Sequence, residues 1–151
     1  MPKVELHIGA LPIHVRTARL VAASLGRRIG LDAIAIDEVK LAVGEACSRA
    51  VSVNHAAGAR EPVVVQFRDD DDVLEVSVMD CGPSGTQLPS AAAAEAVYGE
   101  VYESYEAYEG ERLAPGIGLA MIAGLVDDVT IEDRSAEVGT VVTMRWPIVT
   151  F

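Results

Sequence analysis

The chain has 151 residues, of which half are hydrophobic and 5% are aromatic, and it carries a net charge of −11. This length suits one domain whose core needs neither a disulfide nor a structural metal. With 12 basic against 23 acidic residues, nonspecific nucleic-acid binding is disfavoured because few cations are available to displace counterions. No apolar run reaches the roughly 18 residues that span a bilayer, and no basic leader opens the chain, so we expect a cytoplasmic protein away from the membrane.

The first part of the sequence predicts an edge strand followed by a helix. Residues 4–8 alternate weakly between apolar and polar side chains. Apolar residues at helical spacing follow Pro12, and this pattern ends at Gly26 or Gly30.

A second, longer helix is predicted after Asp32, which is the expected N-cap. Its apolar positions keep the 3.6-residue period to about residue 53, and a loop is expected over 55–60. Cys47 lies within this pattern and is expected in the core, and Cys81 lies far from it in the sequence. With no CxxC motif or Cys/His cluster, the two cysteines indicate a reducing compartment rather than a metal site.

The middle of the sequence predicts a β-hairpin and then a segment of low complexity. Residues 63–68 and 74–79 have strand patterns on either side of an acidic turn at 69–72. Residues 86–114 are rich in alanine and glutamate. Within them, four tyrosines at helical spacing form either a packing stripe or a partner-docking surface: Tyr98, Tyr102, Tyr105 and Tyr108.

The last part of the sequence predicts one helix and two strands. A helical pattern covers 119–126, and strand patterns cover 129–132 and 140–146. Helices followed by adjacent strands indicate an α+β fold, a two-layer sandwich of a mixed or antiparallel sheet and a helical layer.

Two short motifs have the residue types of a nucleotide site. Gly116 and Gly118 precede the predicted 119–126 helix, where backbone N–H groups can approach a phosphate; a turn without a ligand is the alternative. Asp80 ends an apolar strand and is followed by Gly82. Its carboxylate can accept a hydrogen bond from an exocyclic amine such as that of adenine. The alternative is an Asx turn at the end of a strand.

Glu45 lies in the middle of the second helix, with Arg49 four residues later on the same face. Either Glu45 lines a pocket, or the two side chains form an exposed ion pair that contributes only about 0.3 kcal/mol.

In their order, these segments resemble those of the GHKL (Bergerat-fold) ATPase superfamily, most closely its anti-sigma-factor serine/threonine kinase branch. DEVKLAVGEACSRAV at 37–51 is similar to the family's N-box helix, VSVMDCGPSG at 76–85 to its G1 box, and PGIGLAMIAGLVDDVTI at 115–131 to its G2 box. GTVVTMRWP at 139–147 is similar to the closing strand, and TAR at 17–19 to the first helix. The resemblance implies one histidine-kinase-like ATPase domain over 1–151, with a variable ATP lid at about 84–115.

The resemblance also implies a role for each matching residue. Asp80 would bind the adenine amine, Gly82 would allow the base to approach closely, and Thr140 would lie on the adenine side. Gly116 and Gly118 would hold the phosphates of ATP or ADP.

Two further roles concern the two predicted N-terminal helices. Glu45 matches the general base that accepts a proton from the attacking hydroxyl, and Arg19 matches an arginine used against phosphates and partners.

Two positions depart from the family pattern. Arg49 stands where the family has the asparagine that holds Mg²⁺, and a guanidinium cannot coordinate a cation. We therefore predict no metal ligand here, and Arg49 either neutralises the triphosphate directly or pairs with Glu45 and closes the site. In the G1 box, Ser84 replaces a glycine and Gly85 follows one place late.

The resulting hypothesis is an ATP-binding anti-sigma-factor-type regulator. It would sequester a sigma factor, phosphorylate an anti-anti-sigma protein on serine, and form a homodimer as the family tends to do. The alternative is an interaction module that kept the fold and lost turnover, and it is motivated by Arg49 and by the acidic, tyrosine-bearing lid.

Overall fold

A computed structural model describes residues 3–83, 126, 128–134 and 138–149. Within them the chain forms five strands and two helices. In chain order these are β1 (Lys3–Ile8), α1 (Ile13–Arg28), α2 (Ala33–Ala57), β2 (Val63–Asp69), β3 (Val73–Met79), β4 (Asp128–Asp133) and β5 (Thr140–Pro147). The predicted lid at 84–115 and the predicted helix at 119–126, apart from Val126, lie outside the described residues.

The five strands form one sheet in the order β1-β2-β3-β5-β4, and every neighbouring pair is antiparallel. The register aligns apolar side chains in rows that cross all five strands. One such row is Val4, Phe67, Val76, Met144 and Val129. Because side chains alternate between the two faces of a strand, these rows give the sheet one continuous apolar face.

Helices α1 and α2 contribute the second layer of the core. Their buried positions include Val15 and Ala22 on α1 and Val39 and Val43 on α2, and these belong to the same apolar cluster as the inner side chains of the sheet. Small alanine and valine side chains dominate the contact between the layers. The predicted two-layer α+β sandwich is confirmed.

The ends of α2 show which local signals were informative. Asp32 caps the helix, its side chain accepting a hydrogen bond from the backbone N–H of Ala35 at 2.8 Å. The predicted end near residue 53 is wrong, because the helix continues to Ala57 and stops at Gly58 in the left-handed conformation, φ 65°. The last turn of α2 is helical although it is polar, and its residue Asn54 is fully buried.

The predicted strands are confirmed to within one residue at each end. The acidic turn after β2 is closed by a pair of backbone hydrogen bonds between Asp70 and Val73 and by the Asp70 side chain, which accepts a hydrogen bond from the N–H of Asp72.

In the described part of the chain, neither helix combines the length and the apolar character that crossing a bilayer requires.

Candidate functional site

Asp80 lies directly after β3, beside the first residue of β5, and its side chain is completely buried. Oδ1 accepts hydrogen bonds from the backbone N–H groups of Gly82 at 3.0 Å and Thr140 at 3.2 Å. The bond from Gly82 forms the Asx turn that the sequence offered as the alternative to a ligand contact. The backbone N–H of Asp80 also donates to the carbonyl of Thr140 at 3.0 Å, so the carboxylate is held in one orientation by two strands.

The second carboxylate oxygen of Asp80 forms a buried ion pair with Arg49 of α2. Arg49 Nη1 donates to Asp80 Oδ2 at 2.5 Å, and the two side chains are 2% and 1% exposed. Arg49 therefore pairs with Asp80 instead of Glu45, and the predicted exposed Glu45–Arg49 pair is wrong. Because α2 packs on the sheet at this point, a residue expected near the phosphates lies at the carboxylate expected to bind the base.

Backbone geometry behind Asp80 requires glycine at position 139. Gly139 has φ 143°, and a Cβ placed there would lie 2.0 Å from the carbonyl oxygen of Asp80. The same carbonyl accepts a hydrogen bond from Arg134 Nη1 at 3.1 Å. Gly139 and Arg134 thus lie closely against the end of β3.

Gly82 is enclosed by the protein itself. A Cβ on Gly82 would lie 1.9 Å from Cγ1 of Val53 on α2, so a larger residue would push the loop after β3 away from the helix. The absence of a side chain at position 82 lets this loop lie directly against α2.

Asn54 anchors the same loop from the end of α2. Its Oδ1 accepts from the backbone N–H of Cys81 at 2.7 Å, and its Nδ2 donates to the carbonyl of Glu61 at 3.3 Å. Both ends of the amide are used within the protein, so Asn54 holds the loop after β3 at the end of α2.

Several buried polar atoms around Asp80 have no hydrogen-bond partner among the described residues. They include Arg49 Nη2 and Thr140 Oγ1, which belong to the two residues that hold the carboxylate, and Ser48 Oγ on the turn of α2 just before Arg49. Unpartnered buried polar atoms are uncommon in folded proteins and point to a missing ligand or water. Two residues that contact Asp80 therefore have unused hydrogen-bonding capacity.

A family model described as the histidine kinase-like ATPase domain matches residues 8–146 of this chain. The chain belongs to this family.

Curated relatives of this histidine kinase-like ATPase domain are serine-protein kinases named RsbW. The protein from Listeria innocua is 33% identical over 131 residues, covering 85% of this chain and 78% of its own length. The protein from Bacillus subtilis is 28% identical over 132 residues, covering 87% and 79%. A crystal structure of the RsbU and RsbW domains of Rv1364c from Mycobacterium tuberculosis superposes with a TM-score of 0.63 at 20% identity. It covers 96% of this chain and 31% of the longer one, and supports the fold alone.

In this ATPase domain, Glu45 is a buried residue of α2, 5% exposed, one turn before Arg49. This burial contradicts the exposed alternative, and the pocket-facing role of Glu45 stays a prediction. The stem of Arg19 on α1 lies across the neighbouring Gly44, where a Cβ would lie 2.9 Å from Arg19 Cδ. The structure thus brings Arg19 to the turn of α2 that carries Glu45.

The two glycines expected to hold phosphate, Gly116 and Gly118, lie outside the described residues, so their role remains a prediction. Burial raises the pKa of the Cys47 thiol to about 12, and the fully buried side chain confirms Cys47 as a core residue. In the described ranges, no group of three or more histidine, cysteine, aspartate and glutamate side chains has metal-binding geometry.

Sequence reasoning missed two supports of the ATPase-domain site, Gly139 and Arg134. The glycine before β5 carried a weak signal, since a turn followed by a strand often contains glycine. Arg134 carried none, because its contact joins it to the carbonyl of Asp80, a residue 54 positions earlier in the chain.

Proposed function

We propose that this chain is a cytoplasmic, ATP-binding regulator of the anti-sigma-factor type. It sequesters a sigma factor and transfers phosphate from ATP to a serine of an anti-anti-sigma protein. Membership of the ATPase family and similarity to serine-protein kinases support the class. The observation that carries the proposal is the buried carboxylate of Asp80 at the end of β3, with unused hydrogen-bonding atoms beside it.

The surroundings of Asp80 fit the base of a nucleotide. A carboxylate has about four acceptor positions, and three of them are used by Gly82, Thr140 and Arg49. One position on Oδ2 remains for an exocyclic amine. The hydroxyl of Thr140, buried and without a partner, can bond to the same base or to a water beside it.

Glu45 is the proposed general base. Its carboxylate is buried on the helix that also carries Arg49, and it would accept the proton of the attacking serine hydroxyl. ATP, when bound, supplies the phosphoryl group. Arg19 lies next to this turn of α2 and would contact the phosphates or the partner protein.

The described residues do not build a magnesium site in the usual position. Magnesium prefers oxygen ligands, and Arg49 offers only N–H donors and is committed to Asp80. We therefore propose that nucleotide binding depends little on Mg²⁺, with Gly116 and Gly118 as the phosphate-binding residues.

The test begins with equilibrium binding of labelled ATP and ADP, with Mg²⁺ and with EDTA. Asp80→Asn should weaken binding at least about tenfold, since it removes a charged acceptor from a buried site. Asp71→Asn is the matched control, because Asp71 is an exposed carboxylate in the turn after β2. Equal affinity of the wild type and Asp80→Asn would contradict the assignment.

Phosphotransfer is measured separately, with an anti-anti-sigma protein as acceptor and labelled ATP as donor. Glu45→Gln should abolish serine phosphorylation while ATP binding persists. Sigma-factor binding is scored by co-elution of the purified proteins. Loss of ATP binding and of sigma-factor binding together would refute the proposed class.

A second candidate function, a nucleotide-binding interaction module without turnover, is favoured by the Arg49–Asp80 pair. This module would bind ADP and a sigma factor but leave the acceptor serine unmodified. Arg49→Asn distinguishes the candidates. A gain of Mg²⁺-dependent phosphotransfer in that variant indicates an otherwise intact active site, whereas no transfer in either protein supports the silent module.

A further inference from the structure

Arg49 is held at Asp80 through one of its two terminal guanidinium nitrogens. Nη1 is bound to Asp80, while Nη2 is buried and has no hydrogen-bond partner among the described residues. A buried charged donor without an acceptor is costly. Within the described residues this N–H donates to no acceptor, so a bound ligand can supply one.

The Arg49–Asp80 ion pair has one unused donor and one unused acceptor. The acceptor is the remaining position on Asp80 Oδ2, and the donor is Arg49 Nη2, on the same planar guanidinium that binds Oδ2. A 6-aminopurine carries the complementary pair, because its exocyclic amine donates and the neighbouring ring nitrogen N1 accepts. A 6-oxopurine carries the opposite pair, a carbonyl oxygen and an N1–H.

We propose that Arg49 reads the base: it stays bound to Asp80, and its Nη2 donates to N1 of a 6-aminopurine whose amine donates to Asp80. This inference rests on the proposed nucleotide function and assigns a specificity-determining residue within it. It replaces the two roles predicted from sequence, neutralisation of the triphosphate and pairing with Glu45.

Displacement of Arg49 by the incoming base is the alternative arrangement, and burial argues against it. The two side chains are 2% and 1% exposed, so a base that took Arg49 off Asp80 would leave a guanidinium buried without its counter-charge. Keeping the ion pair and using Nη2 satisfies both the arginine and the base.

The experiment compares ADP, 1-deaza-ADP and 7-deaza-ADP by isothermal titration calorimetry in EDTA. The wild type should bind 1-deaza-ADP roughly tenfold to a hundredfold more weakly than ADP, because the buried donor then faces a C–H group. 7-Deaza-ADP, which keeps N1, should bind within about threefold of ADP, and GDP should bind more weakly than either.

The Arg49→Lys variant keeps a cation beside Asp80 but removes the planar second arm of the guanidinium. It should fold, and it should lose most of the discrimination between ADP and 1-deaza-ADP. Arg27→Lys is the matched control, since Arg27 is an exposed arginine on α1, and it should discriminate like the wild type.

The outcomes separate this inference from the function on which it rests. If the wild type binds no adenine nucleotide, the proposed function itself fails. If ADP binds but 1-deaza-ADP binds equally well, or if Arg49→Lys discriminates as the wild type does, Arg49 is a structural ion-pair partner and the inference is overturned.

Discussion

The Arg49–Asp80 ion pair should make a large and mutually dependent contribution to stability. Asp80→Asn keeps an oxygen that can accept from the N–H groups of Gly82 and Thr140, but it leaves the Arg49 guanidinium buried without a counter-charge. Arg49→Met leaves the Asp80 carboxylate buried without its cation. The double variant contains neither charge.

The expected magnitudes follow from the burial of the pair. Because both side chains are almost inaccessible to water, solvent screens the interaction little. Removing one partner of a buried pair costs about 3–5 kcal/mol, whereas replacing both by neutral groups of similar volume costs far less. Each single variant should therefore lower the melting temperature by roughly 6–20 °C, and the double variant should lie close to the wild type.

Urea denaturation of the four proteins gives the free energy of unfolding of each and closes a double-mutant cycle. We expect a coupling energy of at least about 3 kcal/mol between positions 49 and 80. Additive effects, with the double variant the least stable of the four, would refute the view that each charge is tolerated only because of the other.

Three further changes test other parts of the fold. Gly139→Ala should lower the free energy of unfolding by about 3 kcal/mol or more, because φ at position 139 is 143° and the methyl would overlap the Asp80 carbonyl. The control Gly58→Ala, at φ 65° with open space around it, should lower it by only about 1 kcal/mol. Thermal melting measures both variants. The raised pKa of Cys47 stabilises the fold fully below pH 9, and this contribution is lost as the pH rises to about 12. Relative to Cys47→Ala, the free energy of unfolding should then fall by about 1.4 kcal/mol per pH unit in urea titrations, and parallel pH profiles would contradict this. Asp32→Ala should cost about 1 kcal/mol through loss of the α2 cap, and the exposed Asp37→Ala should be nearly neutral in the same titration.

Features that depend on neighbouring residues were predictable from the sequence. The Asp32 cap, the acidic turn at 69–72 and the strand patterns each arise within a few residues, where side-chain type and local geometry are directly linked. The end of α2 was not, because Asn54 continues the helix for a tertiary reason: it bonds the loops at Cys81 and Glu61.

In the candidate site, too, local features were predictable and tertiary contacts were not. Asp80 and Gly82 were chosen from a strand followed by a turn, and the structure brings them together with Thr140. The partner of Arg49 was not predictable, because helical spacing suggested Glu45, four residues away. Only the packing of α2 on the sheet brings Arg49 to a residue 31 positions later in the chain.

The hydrogen bonds of Asp80 also connect ligand binding to folding as a whole. Its partners come from positions 2, 31 and 60 residues away in the sequence, so the complete site exists only when helix, hairpin and last strand are assembled. A ligand of Asp80 then binds the native chain and not the unfolded one. By mass action, such a ligand at a hundred times its dissociation constant adds about 2.7 kcal/mol to the stability of the native state. The supply of that ligand in the cell thus becomes one of the quantities that set how long each copy of the protein survives proteolysis.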